Sequence, residues 1–185
     1  MTPVASEEAL LVVDPQVDFC PGGALAVPRG DRIFDAVNRA MREHPLVVAS
    51  RDWHPAGHVS FSTRGGPWPP HCVSHTPGAA FHKALDQDRI AHVVDKGSDP
   101  DSEAYSAFAG TDLEVWLRAR GVKCLYVAGL ATDYCVKQSV LDALRLGFEV
   151  IVLEDAIAAV DVRPGDGDKA LEEMVAAGAK RATTG

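Results

Sequence analysis

The segment Gly129-Leu-Ala-Thr-Asp-Tyr-Cys135 aims one thiol at what the surrounding pattern reads as the start of a helix. Beyond it, apolar residues recur at Val136, Val140, Leu141 and Leu144 until Gly147 supplies a left-handed stop. A cysteine in a first helical turn meets unpaired N–H groups and the positive end of the macrodipole. These favour thiolate and can receive a developing oxyanion, so nucleophilic catalysis is the chemistry on offer. A core role competes with it, because free cysteines are commonly buried, and Cys20, Cys72 and Cys124 are expected to include ordinary core thiols.

A thiol nucleophile needs a proton acceptor. Asp14 can serve if a nonpolar site raises its pKa or the thiol's is lowered, and Lys96 would add a cation beside the anionic pair. One proton shared between Asp14 and Cys135 would make the two titrate as a unit. A second constellation lies in Ser50-Arg-Asp-Trp-His-Pro-Ala-Gly-His58 and Trp68-Pro-Pro-His71. Asp52, His54 and His71 form a set of oxygen and nitrogen donors for one divalent ion, compatible with Zn²⁺, Fe²⁺ or Mn²⁺, with His58 as a further candidate ligand. His44, His75, His82 and His92 are expected at the surface or in structural hydrogen bonds. Phe19, Trp68 and Tyr105 flank these positions. Core packing is the commoner fate of aromatics, but beside a metal and a thiol they would form a slot for a flat ring.

Such residues act together only if the fold gathers them. Short β-rich runs occur at Ala9–Val13, Leu46–Ala49, Ala91–Val94, Lys123–Ala128 and Phe148–Leu153, with a weaker one at Lys180–Thr183. Helical periods fall at Asp31–Glu43, Asp112–Arg120, Asp133–Leu146 and Asp168–Ala177. The alternation predicts an α/β fold with a doubly wound parallel sheet and helices on both faces. In such sheets ligands sit beyond the carboxyl ends of the strands, which is where Asp14, Asp52, His54, Lys96 and Cys135 fall. The stretch from Asp52 to His82 has no sustained period and many prolines and glycines, so it is expected to be a long functional loop.

The 185 residues suit one domain, and a composition of 46% hydrophobic and 24% charged residues is that of an ordinary globular protein. A net charge of −8 without a basic cluster argues against nucleic acid or anionic lipid as partner and for a small neutral substrate. The N-terminal residues carry no basic region ahead of the apolar run, which is too short to span a bilayer, so a cytoplasmic location is expected. Four cysteines without framework spacing fit reduced thiols. The residues leave the oligomeric state open, a homo-oligomer included.

Val12-Val-Asp-Pro-Gln-Val-Asp-Phe-Cys-Pro-Gly-Gly-Ala-Leu-Ala-Val27, Ser50-Arg-Asp-Trp-His54, Trp68-Pro-Pro-His-Cys-Val73, Lys96 and Gly129-Leu-Ala-Thr-Asp-Tyr-Cys-Val136 together resemble the nicotinamidases of the isochorismatase-like cysteine hydrolase superfamily. The resemblance spans nearly the whole chain. It implies an Asp-Lys-Cys triad at Asp14, Lys96 and Cys135, and a metal at Asp52, His54 and His71. It also implies an oxyanion hole from the Ala131 and Cys135 amides beside a cis Leu130–Ala131 bond, and a ring held between Phe19 and Trp68. Some relatives have a further ligand at the position of His58. The implied reaction is hydrolysis of nicotinamide to nicotinate and ammonia in NAD salvage, and acceptance of analogues such as pyrazinamide is left open. Asp99-Pro-Asp-Ser-Glu103 is more acidic than the family pattern leads one to expect. Three other readings stand beside this one: an amidohydrolase of carbamoyl or ureido compounds, a zinc hydrolase in which bound water attacks, and a silent binding domain on the same fold.

Overall fold

The computed structural model describes residues 6–185. Six parallel strands form one sheet: β1 (Glu8–Val13), β2 (Val47–Asp52), β3 (His92–Lys96), β4 (Cys124–Leu130), β5 (Glu149–Ala158) and β6 (Lys180–Ala182), in the order β3-β2-β1-β4-β5-β6. The helices are α1 (Phe34–Glu43), α2 (Leu113–Arg118), α3 (Lys137–Arg145) and α4 (Asp166–Ala176). Central strands such as β1 are buried on both sides. Leu10 and Val12 pack with Phe34, Val37 and Met41 of α1, while Ala9, Leu11 and Val13 pack with Leu113 and Leu117 of α2, Val140 of α3 and Met174 of α4. The helices thus cover both faces. Among the described residues no helix is long and apolar enough to cross a membrane.

Every strand and helix expected from the periodicity is present, with shifts at the ends. The expected helix from Asp31 starts as a 3₁₀ turn over Gly30–Ile33 before α1. The expected helix from Asp133 opens as a π turn over Thr132–Val136 before α3, so Cys135 lies in a wide turn instead of a regular α-helical one. β5 runs on to Ala158, past the expected Leu153, and its pairing with β4 shifts register between Val127 and Gly129. The connection from β2 to β3 has no α-helix, as the proline-rich sequence indicates. It is held by short 3₁₀ turns and buries Cys72, Ala79 and Leu85 on the face that α1 covers.

The strand order reverses direction between β1 and β4, whose following segments leave toward opposite faces and open a crevice. Gly129 lets these strands meet there. It has φ +115°, and a Cβ on it would stand 2.1 Å from the Val13 carbonyl oxygen.

Candidate active site

Strand register explains how residues far apart in sequence become neighbours. Asp52 pairs with Lys96 across β2 and β3, and Val13 pairs with Gly129 across β1 and β4. The residue after β1, Asp14, takes a left-handed conformation at φ +46°, which Asp tolerates better than bulkier side chains. Its Oδ1 accepts a hydrogen bond from Ser50 Oγ at 2.7 Å.

Lys96 Nζ is fully buried at the centre. It stands 2.9 Å from Asp14 Oδ2, 2.5 Å from Asp52 Oδ1 and 3.3 Å from Cys135 Sγ, and donates to the Ala104 carbonyl at 3.3 Å. Asp14 Oδ2 has no donor in hydrogen-bonding geometry, so a lone pair is left inside the site. Its contact with Lys96 is an ion pair off the hydrogen-bond direction. Asp14, Asp52 and Cys135 bring ligand atoms within 4.8 Å of one another.

One ammonium therefore serves two buried carboxylates. Burial alone would lower the Lys96 pKa, but Asp14 and Asp52 outweigh it and hold the ammonium well above its ordinary range. Burial raises the Asp14 carboxyl against the pull of Lys96, with the charge of Asp52 adding to the rise. Asp52 goes the other way, since Lys96 and the neighbouring imidazoles overcome its burial and hold it well below the usual range. Burial pushes the Cys135 thiol well above its ordinary value, and Asp14 and Asp52 reinforce this against Lys96. The surroundings of the thiol thus push against the thiolate that its turn favours. With 7% of the residue exposed and two carboxylates beside it, desolvation and like charge oppose the pull of the backbone amides.

The remaining oxygen of Asp52, Oδ2, faces two imidazoles, 3.4 Å from His54 Nε2 and 3.7 Å from His71 Nε2. Asp52, His54 and His71 are buried, and their ligand atoms lie within 4.8 Å of one another. The other ring nitrogens are committed elsewhere. His54 Nδ1 donates to the Gly97 carbonyl at 2.9 Å and His71 Nδ1 to the Pro69 carbonyl at 2.8 Å. That leaves each Nε2, the atom that faces Asp52 Oδ2, as the one a metal would take. His58 is not brought into this set. Its ring stacks on His54 at 4.1 Å, but Ser60 Oγ holds its Nδ1 at 2.7 Å and the Ser102 carbonyl holds its Nε2 at 3.0 Å.

A partly enclosed cleft opens over these groups. Phe19, Trp68, Tyr105 and Tyr134 supply aromatic wall, with Asp52, His54, His71 and Cys135 at its base. Trp68 Nε1 donates to Tyr105 Oη at 3.0 Å, which fixes both rings. Ala131, after the cis Leu130–Ala131 peptide, also lines the cleft.

A family profile for the isochorismatase domain matches residues 8–185. The chain belongs to the isochorismatase family. Within that family it is 45% identical over 196 residues to a nicotinamidase of Escherichia coli (strain K12), covering 92% of each chain. Among solved structures it is similar to a pyrazinamidase of Pyrococcus horikoshii in complex with zinc, with TM-score 0.90, 52% identity, and coverage of 96% of this chain and 99% of that one. It is also similar to PnC1 from L. infantum in complex with nicotinate, with TM-score 0.91, 37% identity, and coverage of 99% and 96%.

Several residues of this isochorismatase-family site carry no chemical signal in sequence. Gln16 is fully buried and clamps the Asp52 backbone. Its Nε2 donates to the Asp52 carbonyl at 2.8 Å and the Ala79 carbonyl at 2.9 Å, and its Oε1 accepts from the Asp52 N–H at 2.8 Å. Asp133 accepts from the Val160 and Asp161 N–H groups, each at 2.9 Å, and ties the Cys135 turn to the loop whose Val160 lines the cleft. Ser50 and Tyr134 were equally unmarked. Only the adjacency of Ser50 to Arg51-Asp52 and of Tyr134 to Cys135 could have singled them out.

Proposed function

We propose that this chain hydrolyses nicotinamide to nicotinate and ammonia through a cysteine thioester, feeding NAD salvage from the cytoplasm as one hydrolase domain. The observation that carries the proposal is the division of Asp52. One of its oxygens belongs to the Lys96–Asp14–Cys135 cluster and the other to the imidazole pair, so a nucleophile site and a ring-anchoring site share one cleft. The nicotinamidase relatives support the substrate, and the pyrazinamidase relative supports pyrazinamide as a second one.

In this reading Asp14 takes the proton of the neutral Cys135 thiol, and the sulfur attacks the carboxamide carbon. The Ala131 and Cys135 N–H groups receive the oxyanion. Asp14 then returns its proton to the departing nitrogen, releasing ammonia and leaving a Cys135 thioester. A water deprotonated by Asp14 attacks the thioester, the carbon–sulfur bond breaks, and nicotinate leaves as the thiol is restored. Lys96 keeps the two carboxylates from repelling each other throughout. Phe19 and Trp68 hold the ring.

Asp52, His54 and His71 would hold one divalent ion, zinc, iron or manganese, and three buried residues whose Oδ2 and Nε2 atoms converge fit that role. A bound ion supplies a Lewis-acidic site for the pyridine nitrogen, which anchors the ring. A carbamoyl or ureido substrate gives the imidazole pair nothing to do.

The test is ammonia release from nicotinamide and from benzamide, which lacks the ring nitrogen, before and after chelation. Nicotinamide turnover should exceed that of benzamide by at least about 100-fold and fall on chelation. Equal rates on the two amides would remove the ring-anchoring role. Hydrolysis retained in Cys135→Ala would point to attack by bound water.

A further inference from the structure

The acidic loop singled out in the sequence stands at the wall of the cleft. Its residue Glu103 lines the cleft between two anchored neighbours. The Ser102 carbonyl accepts from His58 Nε2 at 3.0 Å, and the Ala104 carbonyl accepts from Lys96 Nζ at 3.3 Å. Farther out, Arg64 donates to the Pro100 carbonyl at 3.0 Å and to Asp101 Oδ1 at 2.9 Å. The backbone that presents Glu103 is therefore held in place by Lys96 of the site and by His58 and Arg64 beside it.

Charge distinguishes Glu103 from the rest of the lining. The other lining carboxylate, Asp52, has Lys96 at 2.5 Å. Among the described residues no cation pairs with Glu103, whose Oε1 accepts only from the Ala104 N–H at 3.2 Å. Its field reaches across the wall: Tyr105 is raised above its ordinary pKa by burial first, with the charge of Glu103 adding to the rise.

We propose that Glu103 is a specificity-determining residue, whose unpaired carboxylate favours a neutral carboxamide over the carboxylate that hydrolysis makes of it. The proposal rests on the amidase reading above and deepens it. An amide and a carboxylate have nearly the same size and planar shape, so apolar walls cannot separate product from substrate. Net charge can, and a fixed anion at the wall weakens binding of the anionic product and so favours its release. Glu103 is exposed, so solvent screens the effect and keeps it modest.

Steady-state assays on Glu103→Gln test it through one ratio, the nicotinate inhibition constant divided by the nicotinamide KM. At low salt the ratio should fall about two- to fivefold, and the difference from the parent should shrink toward nothing at ~0.5 M salt. Glu103→Asp, which keeps the charge, should restore the parental ratio. A ratio unmoved at low salt, or a fall indifferent to salt, overturns the proposal. A parent protein that releases no ammonia from nicotinamide removes the amidase reading and this inference together. An active parent with an unmoved ratio removes this inference alone.

Discussion

Asp52 and Asp14 are both buried carboxylates beside one ammonium, yet their environments drive them apart. Asp52 is held ionised by Lys96 and two imidazoles, while Asp14 is raised and keeps one oxygen without a hydrogen-bond donor. In the proposed reading a pair of acids separated in this way would divide the work, one as a ligand and one moving protons. Asp14→Asn should therefore lose about 10²–10⁴ in kcat, because an amide cannot shuttle the proton. Lys96→Ala should retain more activity, since it alters the field around the exchange and not the exchange itself. Single-turnover kinetics on both variants, with metal content matched, decides the order. Asp14→Asn as active as the parent would sink the base assignment. Burial and the two carboxylates push the Cys135 thiol above its ordinary value, so proton removal falls to a neighbouring base.

The elements that bear the chemistry are the two strands flanking the switch point. β1 delivers Asp14 and β4 leads to Cys135, and Gly129 is where they approach too closely for any side chain. Gly129→Ala should cost about 2–4 kcal/mol from left-handed strain plus displacement of the Val13 backbone, read by urea unfolding, with activity lost in the folded fraction. The edge strand β6 behaves differently because polar ties hold its outer end. Arg181 binds both oxygens of Glu154 at 2.6 Å, and the Thr184 N–H donates to Asp155 at 2.9 Å. The pairing with Arg181 lowers Glu154 from 4.5, and for Asp155 the Thr184 hydrogen bonds outweigh burial and lower it from 3.8. A depressed carboxyl stabilises the fold above its unfolded value, and that stability is lost as pH falls through the lower folded value. Hydrogen exchange, corrected for intrinsic rates, should show residues 180–185 losing protection first as pH drops below 3.8. Protection unchanged down to the global acid transition would show that these ties contribute nothing.

At the scale of the molecule, bringing Asp52, His54 and His71 together gathers donors that the unfolded chain holds apart. Binding of a divalent ion to the folded state alone should therefore raise stability. At a free ion concentration about 100-fold above Kd the gain is roughly 2.7 kcal/mol, or about 5–10 °C in melting temperature for a chain of this size. Calorimetry on stripped and reloaded protein checks this, and His71→Ala should abolish the increment. An increment that survives in His71→Ala would place the ion elsewhere.

Much of this was legible because it is local. Strand and helix identities follow from apolar periodicity, and the reactive side chains at strand ends follow from the chemistry of their types. A doubly wound parallel sheet then requires those ends to share one edge. Other features depend on distances that no spacing encodes. The pairing of Asp52 with Lys96 comes from the β2–β3 register, and the upward push on the Cys135 thiol comes from how completely the fold dehydrates it. His58 lies within four residues of His54, and only the packed loop shows that both of its nitrogens are already used. Gln16 reads in sequence as one more polar residue, yet it holds Asp52 from both sides of the backbone. The sequence by itself determined which groups could react and along which edge they lie. The tertiary structure decided which of them touch, which carry charge and which merely support, because desolvation and hydrogen-bond partnership arise only when distant segments pack together.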